Sequence, residues 1–285
     1  MWQNSIVKTT KASPRPDAQA RLRRIEGRHN ALVKELRRVF THSEPTADGY
    51  CAIEGLRIVE EAIRSGLKFR AVYFSESSVS KAERLLPQIG SHAETLLLPD
   101  ALFVGAVPTE TPQGVAALVK LKTYQLEDIL SRSSVGPLVA IAGVQDPGNL
   151  GTILRSAEAF GAAGALLGEG TVSHLNPKAV RASAGSVFRL PIVRADLDTA
   201  LDDLRQRGLR LIATSSHKGT PLPEASLTLP LALFIGNEGA GLPRDLLAKM
   251  DELVAIPHSP QVESLNAGVA ASIVLYAAAQ QKQQA

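Results

Sequence analysis

The sequence predicts an α/β protein with a smaller α/β domain over residues 21–121 and a larger domain, built on a parallel sheet, over residues 137–285. Strand-like and helix-like segments alternate along the whole chain of 285 residues, which is the pattern of α/β folds. The strand-like segments of the larger domain are apolar throughout, which is typical of strands buried on both faces of a parallel sheet. Residues 122–136 are polar and predict a linker between the two domains.

The smaller domain follows an arm that is rich in Lys, Ser and Pro. Residues 1–20 predict this basic and flexible arm. The elements expected after it are a helix over 22–40, a strand over 46–55, a helix over 56–66, a strand over 69–77, a helix over 80–89, and strands over 95–100 and 114–121. Gly66 is a natural stop for the second of these helices.

The larger domain is expected to alternate strands with helices. The predicted strands cover residues 138–143, 165–167, 209–214, 231–235 and 253–256. A helix after the first strand places Ile153, Ala157 and Phe160 on one face, and Asn149 stands at its expected N-cap position. Another helix starts near Leu265 and consists mostly of small side chains, which would let a second helix approach it closely.

The charge distribution indicates a polyanionic partner. The chain has a net charge of +3, yet residues 1–40 hold ten basic and three acidic side chains, a local net charge of +7. Basic segments of this kind are typical of proteins that contact nucleic-acid phosphates, and a solvated tail is the alternative interpretation. Few aromatic residues accompany the charges, so the segment predicts contacts to the phosphate backbone alone.

Other features of the composition exclude several classes of protein. Cys51 is the single cysteine, so no intramolecular disulfide can form, and the histidines lack metal-ligand spacing, so no metal site is expected. No apolar run approaches the ~20 residues that span a bilayer. No signal-peptide segment stands near the start, so we expect a cytoplasmic protein without a membrane partner.

Three loops at the predicted carboxyl ends of strands carry polar side chains, and ligands bind at that edge of open parallel sheets. The first loop, residues 146–155, presents Arg155 beside a glycine-lined turn. The second, residues 233–243, places glycines around Glu238, where they permit positive φ angles and close approach to a ligand. It has neither the lysine of a phosphate loop nor the glycine spacing of a dinucleotide site.

The third loop, residues 256–278, leads into the helix with small side chains. Ser264 stands at its expected N-cap position, and Asn266 lies in the expected first turn. Capping alone explains both side chains. The small residues of the helix are also compatible with a close contact between two subunits.

Together, the three loops resemble the motifs of the SpoU (TrmH-like) RNA ribose 2′-O-methyltransferases of the SPOUT superfamily. The matching residues are Asn149, Gly151 and Arg155 in the first motif, Gly236, Glu238 and Gly241 in the second, and Ile256, Pro257, Ser264, Leu265 and Asn266 in the third. Residues 176–192 resemble the middle segment of this family. The preceding domain resembles its L30e-like substrate-binding domain, so the resemblance covers about residues 25–280.

The resemblance implies a trefoil knot in the carboxyl-terminal third, S-adenosylmethionine as cofactor, RNA as substrate and a homodimer formed through the carboxyl-terminal domain. The cofactor-binding residues that it implies are Thr214, Ser215, Gly236, Ile256 and Leu265. The catalytic residues that it implies are Asn149, Arg155, Glu238, Ser264 and Asn266.

The chemistry of methyl transfer narrows the role of Arg155. A ribose 2′-oxygen displaces a neutral thioether, so the reaction needs alignment and loss of the hydroxyl proton. Arginine scarcely deprotonates in proteins, so its planar fork suits a phosphate or a developing 2′-oxyanion better than the role of a base. We expect Asn149 to orient Arg155 or the ribose, and Ser264 to relay a proton or position the nucleotide. Glu238 is expected to fix a loop or pair with a cation.

The identity of the RNA stays open at the level of sequence. The two-domain layout and the basic arm favour ribosomal RNA, and transfer RNA is the alternative. A non-catalytic RNA-binding protein on the same scaffold is the competing class, and the complete set of motif residues argues against it. A different nucleotide-dependent α/β enzyme is disfavoured because phosphate-loop and dinucleotide spacings are absent.

Overall fold

The computed structural model describes residues 21–216 and 218–284, which form two sheets with helices packed against them. The predicted basic arm over residues 1–20 lies outside the described residues. The first sheet has five strands in the order β1-β4-β3-β5-β2. Its strands are β1 Arg23–Arg24, β2 Tyr50–Glu54, β3 Lys68–Ser75, β4 Glu94–Leu98 and β5 Val115–Lys120.

The first sheet is mixed and is covered by helices on both faces. β1, β4 and β3 run parallel, whereas β5 is antiparallel to both β3 and β2. The helices are α1 Ala31–His42, α2 Leu56–Arg64, α3 Val79–Leu85 and α4 Asp100–Ala106. The helices α1 and α4 share a buried apolar cluster with Tyr73 and Leu96, and α2 and α3 share another with Val72 and Phe74.

The helix predicted over residues 22–40 is wrong at its start. The side chain of Asn30 accepts hydrogen bonds from the backbone N–H groups of residues 32 and 33 and caps α1, which therefore begins at Ala31. The preceding arginines belong to β1 and its flanks. Arg23 pairs with Glu94 at 3.0 Å, and the guanidinium of Arg21 donates to backbone carbonyls, among them that of Leu86 at 2.7 Å. Part of the basic charge counted for this region therefore binds the protein itself.

The second sheet is fully parallel, as predicted, with seven strands in the order β10-β12-β9-β11-β6-β7-β8. The strands are β6 Leu138–Ile141, β7 Gly164–Leu167, β8 Ile192–Arg194, β9 Arg210–Ser215, β10 Thr220–Pro221, β11 Leu231–Ile235 and β12 Glu252–Ala255. β6, β7 and β11 are buried along their whole length, which explains why their sequences do not alternate. The short strands β8 and β10 were not predicted.

Six helices accompany the second sheet in the part of the chain that the structure describes. They are α5 Leu126–Leu130, α6 Pro147–Ala159, α7 Pro177–Ala182, α8 Leu197–Gln206, α9 Arg244–Leu247 and α10 Ala267–Gln284. α5 is a single short helix within residues 122–136, and its Ile129 is fully buried. None of the helices in the described ranges has the length and apolar character of a membrane span.

The two sheets meet along α7 and the residues that follow it. Val187 and Phe188 lie in the same buried cluster as Val59 and Ala62 of α2. At the surface of this junction, Arg189 donates to Glu61 at 3.1 Å and also binds the carboxylate of Glu158 at the end of α6. The junction thus combines an apolar core with ion pairs that reach from the first sheet to α6.

Candidate active site

The first loop enters α6 through a cap that differs from the expected one. Asp146 is the N-cap, and its Oδ1 accepts the backbone N–H of Asn149 at 2.8 Å. Asn149 therefore lies in the first turn instead of at the cap, as Pro147 at the first helical position requires. The other carboxylate oxygen accepts from Lys178 at 3.0 Å. The hydrogen bond from Asn149, followed by that from Lys178, lowers the pKa of Asp146.

Displacement of Asn149 from the cap leaves its side chain to join the three loops. Its Nδ2 donates to Glu238 Oε1 at 2.9 Å, and its Oδ1 accepts from Asn266 Nδ2 at 2.8 Å. These residues are far apart in sequence but form one continuous chain of hydrogen bonds. The sequence grouped them only through the family motifs, and the structure brings all three together.

Glu238 holds the glycine loop against the start of α6. Besides the Asn149 amide, its carboxylate accepts the backbone N–H groups of Gln145 at 3.3 Å and Asp146 at 3.2 Å. Partial burial acts to raise the pKa of Glu238, but these hydrogen bonds together lower it, so the side chain is ionised at neutral pH. This geometry matches the expectation that Glu238 fixes a loop. No ion pair with a cation is formed by Glu238 within residues 21–216 and 218–284.

The third loop ends at Asn266, which caps α10. Asn266 Oδ1 accepts the backbone N–H groups of Gly268 at 3.0 Å and Val269 at 3.2 Å. The expectation that Ser264 is the N-cap is therefore wrong, because the helix begins at Ala267. Ser264 and Leu265 instead lie in the loop before the helix, where their side chains are available to the cleft.

The glycine loop owes its shape to contacts within the protein. A Cβ on Gly236 would lie 2.3 Å from the backbone carbon of Gly241 and 2.4 Å from the nitrogen of Leu242. Only Gly241 has a positive φ, at 68°, among the glycines of this loop. Asn237, which sequence reasoning missed, donates to Gly143 O at 2.8 Å and accepts two backbone N–H groups of its own loop. An asparagine inside a glycine-rich turn was the available signal.

The second and third loops and the end of β9 line a solvent-open cleft, and its volume of about 750 Å³ includes open solvent. All five residues expected to bind the cofactor line it, together with two of the expected catalytic residues. These lining residues are Thr214, Ser215, Gly236, Ile256, Leu265, Glu238 and Ser264. Ile256, Leu265 and the alanines at the start of α10 give the cleft apolar walls, and the loop backbones supply hydrogen-bonding groups. This combination is typical of sites that hold a nucleoside.

Arg155 does not line this cleft in the described part of the chain. It follows Asn149 by six residues along α6, a rise of roughly 9 Å. Its side chain is exposed, and it forms no hydrogen bond or ion pair with any other residue of the described ranges. The expected catalytic residues therefore separate into the bonded set of Asn149, Glu238 and Asn266, the cleft-lining Ser264, and Arg155 on the outer face of α6.

The face of α6 that carries Arg155 continues onto α10. The two helices approach closely, because Ser156 and Ser272 share a hydrogen bond of 2.7 Å and Gly268 lies against Thr152. The small residues of α10 thus serve a contact inside the chain. Val269 and Tyr276 on the same pair of helices remain 46% and 51% exposed. Both exposed side chains belong to α10 and leave apolar surface on that helix.

Among residues 21–216 and 218–284, no group of three His, Cys, Asp or Glu side chains is placed to hold a metal ion. The polar side chains of the cleft are hydroxyls, the amide of Asn237, the imidazole of His258 and the carboxylate of Glu238, which is already hydrogen-bonded. Such a site can orient an organic cofactor and a nucleophile.

Comparison with known proteins places this geometry in a family. Residues 137–276 match the model of the SpoU rRNA Methylase family, and residues 30–117 match that of the MRM3-like substrate binding domain. The chain is 34% identical over 256 residues to the 23S rRNA (guanosine(2553)-2′-O)-methyltransferase RlmP of Bacillus subtilis. That alignment covers 90% of this chain and 98% of the relative.

Solved structures agree with these matches. The chain resembles the SpoU methyltransferase AviRb of Streptomyces viridochromogenes in complex with AdoMet, with a TM-score of 0.77, 28% identity, and coverage of 90% of this chain and 99% of that one. It also resembles an AdoMet-bound rRNA methyltransferase of Sinorhizobium meliloti, with a TM-score of 0.76, 27% identity, and coverage of 92% and 98%. The chain therefore belongs to the SpoU family of rRNA methylases and carries an MRM3-like substrate-binding domain ahead of its methylase domain.

Proposed function

We propose that this chain transfers the methyl group of S-adenosylmethionine to a ribose 2′-oxygen of RNA, with ribosomal RNA as the substrate. The observation that carries the proposal is the single cleft formed by all five residues expected to bind the cofactor. Family membership supports the same reaction, and the RlmP relative supports ribosomal RNA. The basic arm over residues 1–20 and the preceding domain over residues 21–121 would bind this RNA, and the methylase domain covers residues 137–285.

The cleft suits S-adenosylmethionine because it pairs apolar walls with backbone polar groups. Ile256 and Leu265 would contact the adenine, and the backbone near Gly236 would hydrogen-bond it. Thr214 and Ser215, at the end of β9, add hydroxyl groups at the rim. The bound cofactor supplies an electrophilic methyl group and a neutral leaving group, so no residue has to protonate a leaving atom.

Asn149, Glu238 and Asn266 act in this proposal by positioning the loops. Their hydrogen bonds to one another leave them few free groups for chemistry, and they fix the glycine loop, α6 and α10 relative to the cleft. Ser264 lines the cleft, and no hydrogen bond to another described residue occupies its hydroxyl group, so it would position the nucleotide or relay its proton. The bonded set thus aligns the reactants, which is the main requirement of this reaction.

Arg155 would stabilise negative charge on the RNA. Its guanidinium suits a phosphate or a developing 2′-oxyanion, and its lack of partners in the described chain leaves all its donors for the substrate. Its distance from the cleft of its own chain is explained if a second copy of the chain covers the α6–α10 face. Val269 and Tyr276 on that face support a homodimer through the methylase domain. The trefoil knot and a cytoplasmic location stay predictions.

Two measurements test this function. Calorimetric titration should show one S-adenosylmethionine site per chain, and incubation with tritiated cofactor should label ribosomal RNA that lacks the modification. Labelling of transfer RNA instead of ribosomal RNA would change the proposed substrate but leave the proposed reaction unchanged. Cofactor binding without transfer to either RNA would support a non-catalytic RNA-binding protein and contradict the proposal.

A further inference from the structure

A buried carboxylate, that of Glu54, links the two sheets. Glu54 is the last residue of β2, and its side chain is only 2% exposed. Oε1 accepts the backbone N–H of Gln113 at 2.6 Å, and Oε2 accepts from Arg181 of α7 at 3.4 Å. The carboxylate therefore binds a loop of the substrate-binding domain with one oxygen and the methylase domain with the other.

The contact with Arg181 reaches α6 through a tightly packed pair of helices. A Cβ on Gly151 of α6 would lie 2.5 Å from the carbonyl oxygen of Ala179 and 2.5 Å from the Cβ of Ala182, both on α7. The two helices are in direct contact at Gly151, so a displacement of α7 moves α6 with it. Lys178 of α7 also bonds the capping carboxylate of α6.

The contact with Gln113 fixes a loop at the edge of the first sheet. Gln113 is exposed and lies just before β5, in the segment that follows α4. Lys81 adds a hydrogen bond from its ammonium to the Gln113 carbonyl. Glu54 thereby joins an exposed loop of the substrate-binding domain to α7 and, through it, to the helix that carries Asn149 and Arg155.

We infer that Glu54 is a positioning residue. It sets the placement of the substrate-binding domain relative to α6, so that bound RNA meets Arg155 and the cofactor cleft. The inference rests on the proposed function. Burying the charge of Glu54 costs free energy, and replacing a buried ion pair by apolar residues is often neutral or stabilising. A role in placing the two domains explains why the chain has a charged pair at this position. The pair instead fixes one relative placement of two domains.

The chain contains a matched control for this role. Glu60 pairs with Arg84 at 2.7 Å, and its side chain is 11% exposed, yet both residues lie within the substrate-binding domain. Glu54→Gln and Glu60→Gln therefore remove the same charge from similar surroundings. Only the first variant weakens a bond between the two domains.

The experiment compares both variants with the full-length chain in three measurements. These are the midpoint of thermal unfolding, calorimetric binding of S-adenosylmethionine, and single-turnover methylation of RNA. We expect both variants to bind the cofactor within about twofold of the original chain, because neither side chain is near the cleft. Methylation should fall by about tenfold in Glu54→Gln only, since small misplacements of reacting groups carry penalties of this size or larger.

Further variants test whether Glu54 acts through Arg181. Arg181→Gln should lower methylation as Glu54→Gln does, and the double variant should add little to either loss. Should Glu54→Gln not fold, Glu54→Asp keeps the charge on a shorter side chain and should show a smaller loss of methylation with normal cofactor binding.

Equal methylation by Glu54→Gln and Glu60→Gln at matched thermal stability would overturn the inference, as would fully additive losses in the double variant. These outcomes differ from failure of the proposed function, in which the unaltered chain itself transfers no methyl group to RNA.

Discussion

Gly236→Ala provides a sharp test of how the cofactor cleft is built. A methyl group at this position would lie 2.3 Å from the backbone carbon of Gly241, roughly 1 Å closer than the 3.4 Å at which ordinary contacts begin. The obstructing atoms belong to the backbone of the same loop, so no side-chain rotation can relieve the overlap. The loop that lines the cleft therefore has to move.

The expected size of the effect follows from this overlap. Overpacking by a methyl group costs about 1–3 kcal/mol when the backbone has to shift. If the strain falls on the cofactor-binding shape of the loop, the dissociation constant for S-adenosylmethionine rises by about 5- to 150-fold. Calorimetric titration measures this change, and thermal unfolding shows how much of the strain affects the fold as a whole.

Gly239→Ala is the matched control in the same loop. Its Cβ would meet only Asn237 Oδ1, at 3.7 Å, and its φ is not positive. The loop should therefore keep its shape, and the midpoint of thermal unfolding should stay close to that of the original chain. Equal affinities for Gly236→Ala and the original chain would refute the account of the cleft.

Four further outcomes are expected. Arg155→Ala should reduce methyl transfer by at least about 100-fold, because this is the usual effect of losing a donor to a developing oxyanion. Calorimetry should show unchanged cofactor affinity. Normal turnover would remove Arg155 from the mechanism. Asn149→Ala loses hydrogen bonds to two loops and should weaken cofactor binding by about 3- to 10-fold in the same titration. An unchanged affinity would show that these bonds do not shape the cleft. Gly151→Ala should lower the free energy of unfolding by about 1–3 kcal/mol in urea denaturation, because its Cβ would overlap α7; an unchanged midpoint would contradict the tight packing. Because the folded-state pKa of Glu238 is lowered, its stabilising bonds are present at neutral pH and are lost only as the pH falls below the ordinary carboxyl value of 4.5. Cofactor affinity should therefore hold from about pH 8 down to that value and decline only below it, whereas a decline already near neutral pH would contradict this assignment.

The sequence predicted the parallel sheet well because short apolar runs without alternation are typical of strands that are buried on both faces. β11 matches its predicted bounds of 231–235, since its apolar run lies between Pro230 and Gly236. The strands β8 and β10 were missed because they are only three and two residues long. Strands this short depend on their neighbours in the sheet and have no periodicity of their own.

Both helix caps at the site were assigned one turn or less from their true positions. Asp146 and Asn149 are equally good caps by residue type, and Pro147 was the local signal that favoured Asp146. Ser264 and Asn266 posed the same choice, and the structure selects Asn266. These small shifts matter, because they free Asn149 for the bonds between loops.

Long-range relationships at the site had no local signal. The pairing of Glu54 with Arg181 spans 127 positions, and a single sequence does not specify which buried carboxylate meets which arginine. The separation of Arg155 from the cleft likewise depends on which face of α6 packs against α7 and α10. The motifs therefore identified the residues, and only the fold showed which of them touch.

The position of the transferred methyl group tests the central claim most directly. RNA labelled by the chain with tritiated S-adenosylmethionine is hydrolysed in alkali, which cleaves every phosphodiester whose neighbouring 2′-hydroxyl is free. A methyl group on the ribose 2′-oxygen blocks cleavage, so the account predicts that the label appears in alkali-stable dinucleotides. Label recovered in mononucleotides would place the methyl group on a base and contradict the account.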